Sequence, residues 1–233
     1  MIAGARRVWI TRALPGAEAT AARLSALGFE PLADPLLEVR DLPWTAALTG
    51  VGALAFTSRN GVAAFARASG ERALPVFAVG AATAHAAAEA GFSTIESAQG
   101  DVAELAALIS ARAVGGAVLH PAAAEPAGDL VSPLARAGIE ARSLAVYETI
   151  ERAPDAATLN ALDDLAAVLV HSPKAARILA AVLTRHPAPA LRALCLSPAV
   201  AAPLADLSAD GRLGPVAAAP RPSETALLDL LAL

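Results

Sequence analysis

Residues 54–68 read LAFTSRNGVAAFARA, and residues 168–183 read VLVHSPKAARILAAVL. Each stretch starts with a short apolar run, passes through a polar turn that contains serine, and continues as an alanine-rich segment. An apolar run without alternation is typical of a strand buried on both faces of a parallel sheet, and the segment after it is typical of a covering helix. The two stretches therefore predict βα units.

The same order of strand, turn and helix extends along the whole chain. The predicted strands are 8–12, 54–57, 76–79, 117–119, 144–147, 168–170, 193–196 and 215–218. The predicted helices are 15–27, 60–68, 81–90, 101–112, 128–137, 173–183, 198–206 and 223–231. This alternation predicts an α/β fold of parallel sheets with helices on both faces.

Four landmarks recur in the same order, which favours a duplication. Phe56-Thr57-Ser58 recurs as Val170-His171-Ser172, Val79-Gly80 as Leu196-Ser197, Asp101 with Leu105 as Ser223 with Leu227, and Leu24 to Glu30 as Leu134 to Glu140. The alternative is that alternating α/β patterns match themselves at many offsets. A duplicated unit of roughly 110 residues predicts two similar domains facing a cleft, which is a common place for a ligand.

Composition and charge narrow the classes of function. A net charge of −4 argues against nonspecific binding to nucleic acid, which relies on a basic surface. The stretch from Met1 to Ile10 lacks the apolar segment of a signal peptide, and no apolar run reaches the roughly 20 residues of a membrane span. We therefore expect a cytoplasmic protein with no nucleic-acid or membrane partner.

No motif for a metal or a cofactor is present. The single cysteine lies in the apolar run Leu194-Cys195-Leu196, where a core thiol is favoured over a nucleophile. The four histidines are scattered and make no zinc pattern. The sequence contains no P-loop, no G-x-G-x-x-G after a strand and no G-x-S-x-G elbow, so we expect no cofactor.

Small polar turns follow several predicted strands, at the edge where parallel sheets bind ligands. Helix N-termini at this edge offer unpaired N–H groups to carboxylates or phosphates. The alternative is that the serine, threonine and asparagine side chains are ordinary helix caps. With Arg12, Arg59 and Lys174 also at strand ends, the residues leave both interpretations open. The turns are 57–61, 80–83, 171–174, 197–198 and 222–223.

Taken in order, these residues resemble the uroporphyrinogen-III synthase family over nearly the whole chain. The resemblance rests on the ordered series rather than on any single motif. The series is Val8 to Arg12, Leu24 to Gly28, Phe56-Thr57-Ser58, Ala78 to Ala84, Val146-Tyr147 and Ser172.

The resemblance implies a particular fold: two similar doubly wound parallel-sheet domains of flavodoxin type, joined by two extended β linkers. Domain one is then residues 1–34 with 150–233, and domain two is residues 41–142. The linkers are 35–40 and 143–149. Pro31, Pro35 and Pro43 keep the first connecting segment out of a helix, in agreement with this division.

The resemblance also implies a reaction. The substrate is hydroxymethylbilane, a linear tetrapyrrole with eight carboxylates, which loses its terminal hydroxyl, inverts ring D through a spiro intermediate and closes to uroporphyrinogen III. Such chemistry needs an acid for the departing hydroxyl and a site that holds the cation in the productive conformation. The implied enzyme is a cofactor-free, cyclising hydro-lyase, a monomer in transient contact with hydroxymethylbilane synthase.

The implied proton donor is Tyr147, the only tyrosine, because a phenol stays protonated at neutral pH. Thr83 is the second candidate, positioning the same hydroxyl. The alternative for Tyr147 is a ring that packs against the linker, with its hydroxyl merely satisfied by a neighbour. The expected substrate-binding residues are Arg12, Ser58, Arg59, Asn60, Gly61, Gly80, Ala81, Ser172, Pro173, Lys174 and Ser197.

The chain departs from the family pattern in two places. His120-Pro121 stands where the family often has an arginine-bearing turn, and Ser197-Pro198 replaces a glycine–threonine turn. Both departures bear on individual carboxylate contacts. Two other classes stay open: a noncatalytic, ligand-sensing or regulatory relative of the same fold, and a small-molecule binding protein of periplasmic type.

Overall fold

A computed structural model gives the structure of the chain and describes residues 6–45, 48–112 and 114–232. Its strands are β1 (Arg7–Ile10), β2 (Glu30–Ala33), β3 (Leu37–Asp41), β4 (Val51–Phe56), β5 (Val76–Ala78), β6 (Ile95–Ser97), β7 (Ala117–Ala123), β8 (Ala141–Glu151), β9 (Leu165–Val170), β10 (Arg192–Cys195) and β11 (Val216–Ala218). Its helices are α1 (Gly16–Ala26), α2 (Arg59–Ala68), α3 (Ala81–Glu89), α4 (Val102–Ser110), α5 (Val131–Arg136), α6 (Ala156–Asn160), α7 (Pro173–Arg185), α8 (Pro198–Ala201), α9 (Ala205–Ala209) and α10 (Glu224–Asp229).

The chain divides into two compact units. The first unit takes in the chain up to Glu38 and from Ile150 onward, and the second unit is Val39–Thr149. One sheet has the strand order β11-β10-β9-β1-β2, and the other has the order β3-β8-β7-β4-β5-β6. Apart from β3, neighbouring strands in both sheets run parallel. The predicted fold class, two similar doubly wound parallel sheets in an α/β protein, is confirmed.

The two sheets share one topology when the first is read from β9. Numbered from β9 in the first unit and from β4 in the second, the five strands of the first sheet and the five strands of the second sheet other than β3 have the same order, 3-2-1-4-5. Ser58 and Ser172 then cap the helices after the first strands, and Asp101 and Ser223 cap the helices after the third strands. If the sequence landmarks recurred only because alternating α/β patterns match themselves, the two sheets would have no reason to share a strand order. The common order therefore supports a duplication.

Each sheet is buried on both faces, which explains the unbroken apolar runs. In the first unit, Trp9 and Val168 pack in one core cluster, whereas Ile10 and Leu169 pack in another. Successive strand residues point to opposite faces, so both faces need apolar side chains. Cys195 lies in the first of these clusters, and burial raises the pKa of its thiol to about 12. The prediction of a core thiol is therefore confirmed.

The strands β2 and β6 were not predicted, and β3 was expected only as the extended linker 35–40; all three are sheet edges. Edge strands are short and need only one paired side, so their sequences are polar and tolerate proline, as at Pro31 in β2. β3 also lengthens β8 beyond the predicted 144–147. The Leu42 N–H donates to the Val146 carbonyl and the Arg152 N–H to the Leu36 carbonyl, each at 3.0 Å, which makes this pair antiparallel.

Two predicted elements differ in detail. Tyr147 lies inside β8 rather than at the end of a strand, because pairing with β3 continues the strand to Glu151. The predicted helix 198–206 is broken into α8 and α9 by a 3₁₀ turn at Ala202–Leu204, which contains a proline.

Among the described residues, no helix has the length and apolar character needed to cross a membrane.

Candidate functional site

The polar turns of the second unit lie at the carboxyl edge of its sheet. The turn 57–61 follows β4, and the turn 79–83 follows β5, the strand paired with β4. In parallel α/β sheets this edge carries the ligand site, because the helix N-termini meet there. These two turns contain seven of the residues predicted to act on the substrate: Ser58, Arg59, Asn60, Gly61, Gly80, Ala81 and Thr83.

Ser58 is both a helix cap and the partner of the proposed acid. Its backbone is extended, and its Oγ accepts a hydrogen bond from the Gly61 N–H at 3.0 Å, as expected of an N-cap. The same Oγ lies 2.9 Å from the Tyr147 hydroxyl oxygen. The capping interpretation of Ser58 is therefore confirmed, and the side chain has a second partner that capping does not require.

Tyr147 is held at both ends. Its ring is buried, with 7% of the residue exposed, and packs in a cluster with Ala64 and Val146. Its carbonyl accepts from the Ala124 N–H at 2.8 Å. Because Ser58 Oγ already accepts from Gly61, the serine proton is available to the phenol oxygen. In that arrangement the phenol keeps its own proton for another acceptor.

The N-terminus of α3 has no side-chain cap. Gly80 is the N-cap residue and offers no side chain, so within the described part of the chain no side chain caps the N–H groups of the first turn, among them those of Ala81 and Ala82. Ala81 and Ala82 are exposed, whereas Thr83, in the same turn, is buried with 5% of the residue exposed. This turn presents backbone donors and the positive end of a helix of nine residues, which suits a carboxylate.

A second hydrogen bond ties the turn after β4 to β7. The Thr57 hydroxyl lies 3.0 Å from His120 Nε2. His120 is buried, and burial lowers the pKa of its imidazole to about 4, so the ring is neutral near pH 7. His120 also lines a cavity of about 400 Å³ with residues 126–131 and Ser143.

In the first unit, Ser172 and Pro173 form a regular helix start. Ser172 Oγ accepts from the Ala175 N–H at 3.2 Å, and Pro173 takes the first helical position of α7. Lys174 follows and is half-buried. Ser197, before α8, makes no capping bond. The capping interpretation is thus confirmed for Ser172 and wrong for Ser197.

Arg12, expected to meet the substrate, is paired with a carboxylate of the same unit. Its Nη1 lies 3.0 Å from Glu224 Oε2, at the first residue of α10. Glu224 also accepts from Thr20 Oγ1 at 2.5 Å and lies 3.1 Å from His171 Nε2. Burial alone would raise the pKa of Glu224, but the bonds from His171 and Thr20 and the attraction to Arg12 outweigh it and lower the pKa to about 2.

Sequence reasoning missed two groups at these edges. His120 stood out only as a departure from a family pattern, and Glu224 was not singled out, because its partner Arg12 is 212 residues away. The duplication is a signal that could have pointed to both groups. His171 is the counterpart of Thr57, and the two side chains bond Glu224 and His120, respectively. In the described part of the chain, no group of three or more His, Cys, Asp and Glu side chains is placed to hold a metal ion.

Comparison with known proteins agrees with this architecture. A uroporphyrinogen-III synthetase structure from Helicobacter pylori matches with a TM-score of 0.66 and 19% identity over 98% of both chains. A mutant uroporphyrinogen III synthase from the extremely thermophilic bacterium Thermus thermophilus matches with a TM-score of 0.54 and 22% identity over 97% of both chains. At these identities the structures show a shared fold. A search of curated proteins found no match.

The family model of uroporphyrinogen-III synthase HemD matches residues 18–229, which is most of the chain. That span includes β4 to β8 and the turns of the second unit, together with α7 and α10 of the first. The chain therefore belongs to the uroporphyrinogen-III synthase family, the cyclising lyases of heme and porphyrin biosynthesis.

Proposed function

We propose that this protein converts hydroxymethylbilane to uroporphyrinogen III and that Tyr147 gives the proton to the departing hydroxyl. The observation that carries the assignment of Tyr147 is its 2.9 Å contact with Ser58, at the ligand-binding edge of the second unit. Burial of the ring fixes the direction of the phenol, and the contact with Ser58, which caps α2, fixes the position of the phenol oxygen. Fixed geometry of this kind is what general acid catalysis requires.

The proton transfer has a simple balance. The O–H bond of Tyr147 breaks, the proton joins the substrate hydroxyl, and the C–O bond breaks with loss of water. This leaves an azafulvene-like cation on the substrate and a phenolate on Tyr147. Ser58, donating to the phenolate oxygen, stabilises the charge at the moment it forms. The proton that the substrate loses after ring closure restores the phenol.

Thr83 is the second residue in this proposal. Within the described residues its hydroxyl has no hydrogen-bond partner, although the residue is buried in the first turn of α3. A threonine hydroxyl can donate one hydrogen bond and accept others, so it can pair with a substrate hydroxyl in this turn. We assign Thr83 to positioning the hydroxyl that departs.

Backbone donors are proposed to hold the substrate carboxylates. In the second unit these are the open N–H groups of Arg59 and Asn60 in α2 and of Ala81 after Gly80 in α3, with Gly61 already bonded to Ser58. In the first unit the donors are Ser172, Lys174 and Ser197, and Pro173, which has no N–H, shapes the turn between them. Arg12 contributes less than a free arginine, because Glu224 already neutralises it.

The proposal includes the setting in which the enzyme works. We take it to be a cytoplasmic monomer that receives hydroxymethylbilane in transient contact with hydroxymethylbilane synthase. We also keep the boundaries 1–34 with 150–233 and 41–142 for the two domains, supported by the change of compact unit after Glu38 and after Thr149. Sedimentation velocity, with and without the synthase, measures the oligomeric state and the contact.

Replacing Tyr147 with phenylalanine tests the assignment of the acid. General acid catalysis contributes roughly 10²–10⁴ in rate, so Tyr147→Phe lowers turnover at least about 100-fold while the protein stays folded. Ser58→Ala lowers turnover by a smaller factor, because the phenol keeps its proton but loses its fixed partner. Turnover is measured as uroporphyrinogen III formed under substrate saturation.

Asp101→Ala is the matched control. Asp101 caps α4 through bonds from the Ala103 and Glu104 N–H groups, so its loss costs a cap, about 1 kcal/mol, as Ser58→Ala does. It does not contact Tyr147, so turnover stays at the wild-type level. A folded Tyr147→Phe variant that keeps more than about a third of the wild-type rate would mean that Tyr147 only packs.

A further inference from the structure

Two hydrogen bonds from consecutive residues fix the turn after β4. Thr57 Oγ1 lies 3.0 Å from His120 Nε2 on β7, and Ser58 Oγ lies 2.9 Å from the Tyr147 hydroxyl on β8. We propose that His120 is a positioning residue: through Thr57 it holds this turn where Ser58 meets the Tyr147 hydroxyl. The proposal rests on the role proposed above for Tyr147.

We call the pair of hydrogen bonds Thr57–His120 and Ser58–Tyr147 a clamp, because together they tie the turn after β4 to β7 and β8. β7 lies between β4 and β8 in the sheet, so the turn after β4 must reach past β7 for Ser58 to meet Tyr147. Pairing of β4 with β7 ends at Leu54 and Leu119, before the turn begins. Pairing with β5 continues to Phe56, but on the side that faces β7 and β8 the backbone ladder no longer holds the chain beyond that point. The Thr57–His120 bond ties the turn to β7 there.

The backbone of β7 makes a second contact with the same turn. A Cβ on Gly61 would lie 2.7 Å from the Pro121 carbonyl oxygen, so the first turn of α2 approaches β7 as closely as glycine allows. The consecutive residues His120 and Pro121 therefore contact the segment 57–61 at both of its ends, His120 at Thr57 and Pro121 at Gly61. This pair is also where the chain departs from the family pattern.

Burial makes the His120 bond specific. His120 is 2% exposed, and it is the one side-chain partner of the Thr57 hydroxyl among the described residues. An apolar replacement leaves that hydroxyl without a partner in a half-buried turn, and the turn must shift to reach water or another acceptor. The neighbouring cavity of about 400 Å³ gives replacement side chains room, so the variants are not overpacked.

The first test observes Tyr147 directly, without catalysis. Because the chain has one tyrosine, protein labelled with ¹³Cζ-tyrosine gives a single resonance from the phenol carbon. Ser58→Ala removes the partner of the hydroxyl and sets the size of the shift to expect. We expect His120→Leu and Thr57→Val to move the resonance in the same direction, and His120→Gln, which keeps a donor and an acceptor at that place, to return it toward the wild-type position.

The second test measures turnover in two backgrounds. A displacement of about 1 Å at a reacting group costs up to about 100-fold in rate, so His120→Leu lowers kcat by about tenfold or more. KM rises as well, because the Arg59 and Asn60 N–H groups lie in the same turn. His120→Gln recovers most of that loss. In a Tyr147→Phe background, His120→Leu causes no further loss of kcat, because the phenol that it positions is already absent.

The outcomes separate this inference from the proposed function. If His120→Leu leaves the tyrosine resonance in place while Ser58→Ala moves it, the inference is wrong whatever the role of Tyr147. Equal fractional losses in the wild-type and Tyr147→Phe backgrounds also overturn it. If the resonance moves but Tyr147→Phe retains turnover, the proposed acid is wrong and the clamp stands. Should His120→Leu not fold, Thr57→Val breaks the same bond and decides in its place.

Discussion

At the scale of single residues, Glu224 is a partly buried carboxylate that joins several elements of the first unit. Its carboxylate is 20% exposed, and its side-chain partners among the residues that the structure describes are Arg12, Thr20 and His171. Burial works against the charge, but these partners outweigh it and lower the pKa of Glu224 to about 2. The carboxylate therefore joins the ends of β1 and β9 to the start of α10 as an anion.

Replacing Glu224 with glutamine tests this linkage. The pKa in the folded protein, about 2, lies below the ordinary value of 4.5, so the stabilisation is complete above pH 4.5 and is lost as the pH falls through 2. Glu224→Gln lacks it at every pH, and at neutral pH we expect a loss of about 2 kcal/mol in the free energy of unfolding, allowing for screening by solvent. The difference from wild type shrinks between pH 4.5 and pH 2.

Urea unfolding at several values of pH checks the prediction, with Glu125→Gln as the control, because Glu125 is exposed. The control is expected to follow wild type within about 0.5 kcal/mol throughout. A constant difference between wild type and Glu224→Gln from pH 7 to pH 2 would show that the ionised form of Glu224 is not what stabilises the fold.

At the scale of elements, the start of α2 depends on the absence of a side chain at Gly61. Alanine in a helix is normally about 1 kcal/mol better than glycine. Here its Cβ would lie 2.7 Å from the Pro121 carbonyl oxygen, a backbone atom that cannot swing aside. Crowding of this kind typically costs about 1–3 kcal/mol, so the unfavourable contact outweighs the propensity.

We therefore expect Gly61→Ala to lower the free energy of unfolding by roughly 1–2 kcal/mol. Gly70→Ala is the control, because a Cβ on Gly70 meets nothing within 4 Å. Thermal and urea unfolding of both variants provide the measurement. A more stable Gly61→Ala protein would show that α2 moves away from β7 at no cost, and would weaken the clamp proposed for His120.

The elements also show what the sequence can predict. Strands buried on both faces, such as β4 and β9, can be predicted from their apolar runs. The helices after them begin at serine caps, which the sequence also shows. The edge strands β2, β3 and β6 lack this signal, because one of their sides needs no partner. The length of β8 depends on β3, a distant segment, so the place of Tyr147 inside the strand was not predictable from its neighbours.

At the scale of the whole molecule, local patterns predict that strands and helices alternate but not how the strands are ordered. The insertion of β1 and β2 beside β9, more than 120 residues later in the chain, came from the resemblance to a family. The residues of the site likewise fall into those that local sequence predicts and those that it does not. Ser58, Gly80 and Ser172 follow strands and were singled out, whereas the pairs Arg12–Glu224 and Thr57–His120 join distant segments that no local pattern connects.

The identity of the product tests the central claim most directly. Hydroxymethylbilane closes spontaneously to the type I isomer without inversion of ring D, so the two isomers separate catalysis from background. The products, oxidised to porphyrins, are resolved by chromatography after incubation with wild-type protein, with Tyr147→Phe and with no protein. We expect type III to dominate with wild type and type I to dominate with Tyr147→Phe. Type I alone from wild-type protein, at the rate seen without protein, would contradict the account.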